Sequence, residues 1–149
     1  MSLKDQVMAQ LKDAMRNKDT LALESLRAIK SELLLLETSG TGSEISEEQE
    51  LKLLQRLVKQ RKESAETYQS QGREDLAKPE LAQAEVISQF LPKQLSEDEI
   101  KAVVEVKAQE IGAGSMADMG RLMGIVTKEL AGKADGKTIS GIVKSVLSR

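Results

Sequence analysis

Ser46 is followed three residues later by Gln49, and Ser96 three residues later by Glu99. Each pair has the form of a capping box, in which a hydroxyl and a downstream side chain satisfy backbone N–H groups at the mouth of a helix. Behind each box, apolar residues recur at three- and four-residue intervals, the period of an amphipathic helix. The same pattern runs through most of the 149-residue chain. Ser2 with Asp5 opens a helix whose apolar face is Leu3, Val7, Leu11, Ala14 and Met15, and "RNKD" ends it. Asp19 caps a second helix along Leu23, Leu26, Ile29, Leu33 and Leu36. Two glycines and several hydroxyls make "ETSGTGSEIS" a mobile loop. Ser46 then opens a long third helix through Leu53 and Leu57, which Gly72 stops. No segment carries the two-residue alternation of a strand. The expected fold is all-α.

The second half of the chain is punctuated in the same way. "REDLAKPELAQAEVISQFLP" predicts a helix to about Phe90, irregular near Pro79, where the ring removes a backbone donor. Leu91-Pro92 closes it. Ser96 to Gly112 predicts the next helix. Ser115 and Asp118 start another, which Gly132 ends, and the last begins at Gly136–Lys137 and runs to the C-terminus. The division falls at "LPKQLSEDE". Residues 1–92 form an N-terminal antiparallel helical domain, and residues 93–149 a smaller C-terminal domain of three helices.

Histidine and cysteine are absent. This removes Ser-His-Asp and Cys-His nucleophiles, imidazole or thiolate metal sites, and disulfides. No cofactor, metal or catalytic residue is expected. The N-terminus alternates apolar and charged residues, unlike a signal or transit peptide. The longest apolar run, Leu33–Leu36, is far short of the ~20 residues that span a bilayer. A soluble cytoplasmic protein with no membrane contact is expected. Tyr68 and Phe90 are the only aromatic residues. The core must therefore be aliphatic, and any nucleic acid must be read through shape and phosphate, since base stacking needs aromatic platforms.

Charge is nearly balanced overall but unevenly placed. From Arg121 onward the basic residues are Arg121, Lys128, Lys133, Lys137, Lys144 and Arg149, against only Glu129 and Asp135. Within this basic tail, Gly120 and Gly124 lie four apart and so share one helix face. A glycine inside a helix costs about 1 kcal/mol relative to alanine. Either a neighbouring helix packs closely against the pair, or exposed backbone there lets a phosphate or partner approach. The loop "GKADGK" has a similar ambiguity. Gly132 and Asp135 read as helix stop and helix cap, while Lys133 and Lys137 beside Gly136 and a helix N-terminus read as an anion site. Farther upstream, Arg56, Lys59, Arg61 and Lys62 form a basic cluster. It reads either as a solvated face paired with Glu63 and Glu66 or as a second phosphate contact. The acidic runs Glu47/Glu48 and Glu97/Asp98/Glu99 fit helix N-termini, where the macrodipole favours them.

Over essentially its whole length the chain resembles the GatB/YqeY family, in particular its small stand-alone YqeY-like members. The resemblance rests on "LKDAMRNKDTLALESLRAIKSEL", "LVKQRKESAETYQSQGREDLA", "FLPKQLSEDEI" and "GAGSMADMGRLMGIVTKELAGKADGKTISGIV". Pro79 departs from the polar helical residue expected in such proteins. The resemblance implies a C-terminal domain similar to the tail of the B subunit of the tRNA-dependent glutamine amidotransferase, where the tail helps to hold tRNA. It also implies a family-level activity of carbon–nitrogen ligation with glutamine as amido-N-donor. The kinase and glutaminase parts of that chemistry lie in other domains and subunits and have no counterpart in this chain. The implied role is a tRNA-binding or amidotransferase-associated module. Its expected partners are tRNA and possible amidotransferase subunits or an aminoacyl-tRNA synthetase. Arg121, Lys128, Lys133, Lys137 and Lys144 are the candidate RNA contacts, with Gly120, Gly124, Gly132 and Gly136 the positions of close packing or backbone approach. The alternative is a protein–protein adaptor with no RNA contact.

Overall fold

The computed structural model describes residues 2–40 and 44–148. Part of the loop expected to be mobile (41–43), and the last basic residue, Arg149, lie outside the described residues. Among the described residues every regular element is helical. These are α1 (Leu3–Arg16), α2 (Thr20–Ser39), α3 (Glu47–Ser70), α4 (Glu74–Ser88), α5 (Glu97–Ile111), a single 3-10 turn (Met116–Asp118), α6 (Met119–Glu129) and α7 (Gly136–Leu147). The chain divides into two compact units, Met1–Leu91 and Pro92–Arg149.

Most helices begin where a side chain can take up an orphan N–H. Ser2, Asp19 and Asp135 accept from the backbone N–H of Asp5, Ala22 and Thr138. Both capping boxes close in both directions: Ser46 with Gln49, and Ser96 with Glu99. Their ends are equally well defined. Gly72 and Gly112 take left-handed backbone (φ 73° and 67°) just beyond α3 and α5. At Gly72, the Arg73 N–H donates to the Tyr68 carbonyl at 2.8 Å and the Gly72 N–H to Gln69 at 3.0 Å. Orphan carbonyls of the last turn are thereby satisfied.

Three local expectations are corrected. First, α2 continues through Glu37 to Ser39 and does not yield to a loop at Glu37; Thr38 is absorbed by bonding back to the Leu34 carbonyl at 3.0 Å. Second, α4 runs unbroken through Pro79. Only the bond that residue 79 would donate one turn back is lost, close to a helix start where few such bonds exist. Third, Ser115 and Asp118 do not cap α6 with their side chains; the 3-10 turn leads into it instead.

In the N-terminal unit α3 and α4 form an antiparallel hairpin, α2 packs on α4, and α1 packs on α2. The core is aliphatic, built on Val7, Leu26, Ile29, Leu54 and Ile87, all almost wholly buried. Met15, read as part of the α1 face, is 54% exposed. The C-terminal unit has its own core, with Ile100 and Val104 of α5, Leu122 and Val126 of α6, and Ile139 and Val143 of α7 all at 1% exposure or less. Burying side chains of this size contributes roughly 1.5–3 kcal/mol each. The three helices thus hold one another through a continuous apolar seam.

Candidate nucleic-acid interface

The basic tail folds onto α6, α7 and the loop between them. That loop is fixed by hydrogen bonds at its base. The Leu95 N–H donates to the Lys133 carbonyl at 3.0 Å, and the Gln94 side-chain amide donates to the Gly132 carbonyl at 2.7 Å. Gly132 is buried and left-handed at φ 77°, a conformation that favours glycine. With the loop backbone tied inward, the Lys133 side chain is left exposed.

Asp135 then governs the α7 N-terminus. Its carboxylate accepts from the Thr138 N–H at 2.7 Å and from the Thr138 hydroxyl at 3.0 Å. The helix mouth read from sequence as an anion site therefore already holds a carboxylate from its own chain. A phosphate approaching there would meet Asp135, and the cations available to attract it are the lysine side chains.

Lys128, Lys133, Lys137 and Lys144 are exposed and form no ion pair among the described residues. Lys137 and Lys144 are seven residues apart on α7, which places them on one face about 10 Å apart along the axis. Arg121 is differently placed. Its guanidinium donates to the Ile111 carbonyl at 3.0 Å and lies 3.4 Å from Asp118, whose other oxygen accepts from the Gly114 N–H at 3.1 Å. This cluster holds the α5–α6 connection together.

The glycines behave differently from the packing reading. Gly120 and Gly124 are exposed on α6, and a Cβ built on either, or on Gly136, meets no atom within 4 Å. No described helix packs against them, because the buried face of α6 is the Leu122–Val126 side. Gly141, which sequence reasoning does not single out, is likewise exposed with open space around it. It lies four residues after Lys137 and three before Lys144, so α7 carries a lysine–glycine–lysine face opposite its core. That spacing is the one signal of it in the sequence, and it gains meaning only once the buried face of α7 is known.

The upstream basic cluster is largely engaged within the N-terminal unit. Arg56 pairs with Glu32 of α2 at 2.6 Å, Lys59 with Glu63 at 4.0 Å, and Arg61 donates to Gln83 of α4 at 3.4 Å. Gln83 in turn donates to Glu24 at 3.1 Å, so the chain of contacts ties α3, α4 and α2.

Comparison with known proteins bears on the whole chain. The family model for Yqey-like protein matches residues 4–147. The chain belongs to the YqeY-like family. This YqeY-like chain is also 31% identical over 146 residues to "Altered inheritance of mitochondria protein 41, mitochondrial" of Pyrenophora tritici-repentis (strain Pt-1C-BFP). That match covers 95% of this chain and 78% of the relative, whose name assigns that protein to mitochondria. No described helix of the YqeY-like chain is long and apolar enough to cross a membrane.

Proposed function

We propose that this YqeY-like protein is a non-catalytic RNA-binding module, and that its C-terminal unit lies against the phosphate backbone of a structured RNA, with tRNA as the ligand class. One observation carries the reading. Gly120, Gly124 and Gly141 of α6 and α7 face solvent with open space around them, while Lys128, Lys133, Lys137 and Lys144 form no ion pair among the described residues. Each such glycine forgoes about 1 kcal/mol of helix stability relative to alanine, and nothing inside the unit offsets that. Bare backbone flanked by lysines is a surface that a phosphate chain can approach closely. The scarcity of aromatic residues agrees with recognition by shape and charge. Association with amidotransferase subunits or an aminoacyl-tRNA synthetase, and a cytoplasmic setting, belong to the same proposal. The associations rest on the family resemblance of the C-terminal unit, and the cytoplasmic setting on the absence of cysteine.

Binding of tRNA measured across salt concentrations tests it. Lys137→Glu with Lys144→Glu should leave the helical fold intact and weaken binding. The slope of log K against log salt should become shallower, by somewhat less than about one unit for each phosphate that is no longer neutralised. Equal affinity and an equal slope in the double variant would refute the RNA-facing role of α7 and favour an adaptor without RNA contact.

A further inference from the structure

The N-terminal unit leaves an apolar groove open between α1 and α2. It has a volume of about 130 Å³ and is lined by Lys4, Val7 and Met8 of α1 against Lys30, Leu33 and Leu34 of α2. Val7 and Leu33 form a buried floor, whereas Met8 is 37% and Leu34 57% exposed. Met15, seven residues beyond Met8, continues the same stripe of α1. Single exposed apolar side chains need no explanation, but a groove with apolar floor and walls does.

The rim is basic. Lys12 lies one turn beyond Met8, and Arg27 one turn before Lys30, each on the groove side of its helix by the four- and three-residue spacing. Lys12, Arg27 and Lys30 are exposed and form no ion pair among the described residues. Lys4 is neutralised by Glu37 at 3.1 Å, which closes one end of the groove.

We propose that this groove docks an acidic amphipathic helix of a partner protein. Two antiparallel helices with an open seam present the ridges and grooves into which the apolar stripe of a third helix packs. The adaptable methionines suit such a contact. The three unpaired cations call for carboxylates flanking that stripe. A second copy meeting this face symmetrically would set Lys12, Arg27 and Lys30 against themselves, so self-pairing is disfavoured. A lipid surface suits a protruding apolar face, and here the apolar side chains line a depression.

The test uses the full chain and a fluorescent 18-residue synthetic helix with leucines along one stripe and glutamates on either side. The expected result is saturable anisotropy change with the intact probe and none with a scrambled sequence. Affinity should fall at least tenfold in Arg27→Glu/Lys30→Glu and in Leu34→Asn, with circular dichroism unchanged. A probe with lysines in place of the glutamates should bind Arg27→Glu/Lys30→Glu better than it binds the parent. If Leu34→Asn does not fold, the charge-reversal pair and its swapped probe decide alone. Absence of binding, or binding unaffected by charge reversal, overturns the proposal. So does Leu34-dependent self-association, or Leu34-dependent adsorption to phosphatidylglycerol vesicles without probe binding. Binding of tRNA is a separate readout, expected to be unchanged by Leu34→Asn.

Discussion

Arg121 reaches back ten residues to donate to the carbonyl of Ile111 at 3.0 Å, taking up an orphan acceptor at the end of α5. Its side chain is 57% exposed, so solvent weakens the pairing with Asp118, and the geometric value of the contact exceeds its Coulombic value. Arg121→Ala should lower the stability of the C-terminal unit by about 1 kcal/mol. Its effect on the salt dependence of tRNA binding should be smaller than that of the α7 lysines. A urea titration beside a binding series separates the two. A large loss of salt slope at constant stability would return Arg121 to the RNA surface.

Gly124 supplies a prediction whose sign depends on the fold. Because a Cβ there meets nothing within 4 Å, Gly124→Ala should raise stability by up to about 1 kcal/mol through helix propensity. Gly124→Leu should be tolerated. Close packing would have produced the opposite result, a loss of about 1–3 kcal/mol from overpacking. Thermal melts of the two variants decide between them, and weakened tRNA binding in either would tie the open face to function.

Lys18 is held at φ 53°, the only non-glycine residue with positive φ among those described. Beyond α1 its N–H donates to the Met15 carbonyl at 3.3 Å and that of Asp19 to Ala14 at 2.9 Å, the same closure that Gly72 makes after α3. A lysine in this conformation carries a steric penalty that glycine avoids. Lys18→Gly should stabilise the N-terminal unit by about 0.5–1 kcal/mol, and Gly72→Ala should destabilise it by about 1 kcal/mol. Chemical denaturation midpoints at constant m-value provide the check.

The two capping boxes should respond differently to acid. Glu99 accepts from the Ser96 N–H at 3.0 Å. That backbone hydrogen bond, followed by the Ser96 hydroxyl and more weakly by Lys93, holds its carboxyl below the ordinary range. A depressed folded value means that the contribution is fully present above the unfolded value of about 4.3 and is lost as pH falls through the lower folded value. The box at Ser46 uses Gln49, which does not titrate. An NMR titration should show the Ser96 amide shifting with Glu99 protonation below the ordinary glutamate range, while the Ser46 amide shows no comparable step from its own capping partner. Glu99→Gln should abolish the Ser96 step; its persistence would assign the titration to another group.

What the sequence determined by itself was local. A cap, a capping box or a left-handed glycine acts on N–H and C=O groups within four or five residues, so Ser2, Asp19, Ser46, Ser96, Gly72 and Gly112 mark their helix ends without reference to the rest of the fold. The apolar period likewise named most of the N-terminal core, from Leu3 to Leu57, and with it the all-α class. What only the tertiary structure decided was what lies on the other side of each residue. Whether Met15 is covered depends on how far α2 extends across α1, and whether Gly124 is packed depends on which face of α6 meets α5 and α7. Arg56 finds Glu32, and Arg121 finds Ile111, because separate helices come to lie together. Those pairings follow from the joint burial of several amphipathic faces, a choice that no single helix encodes.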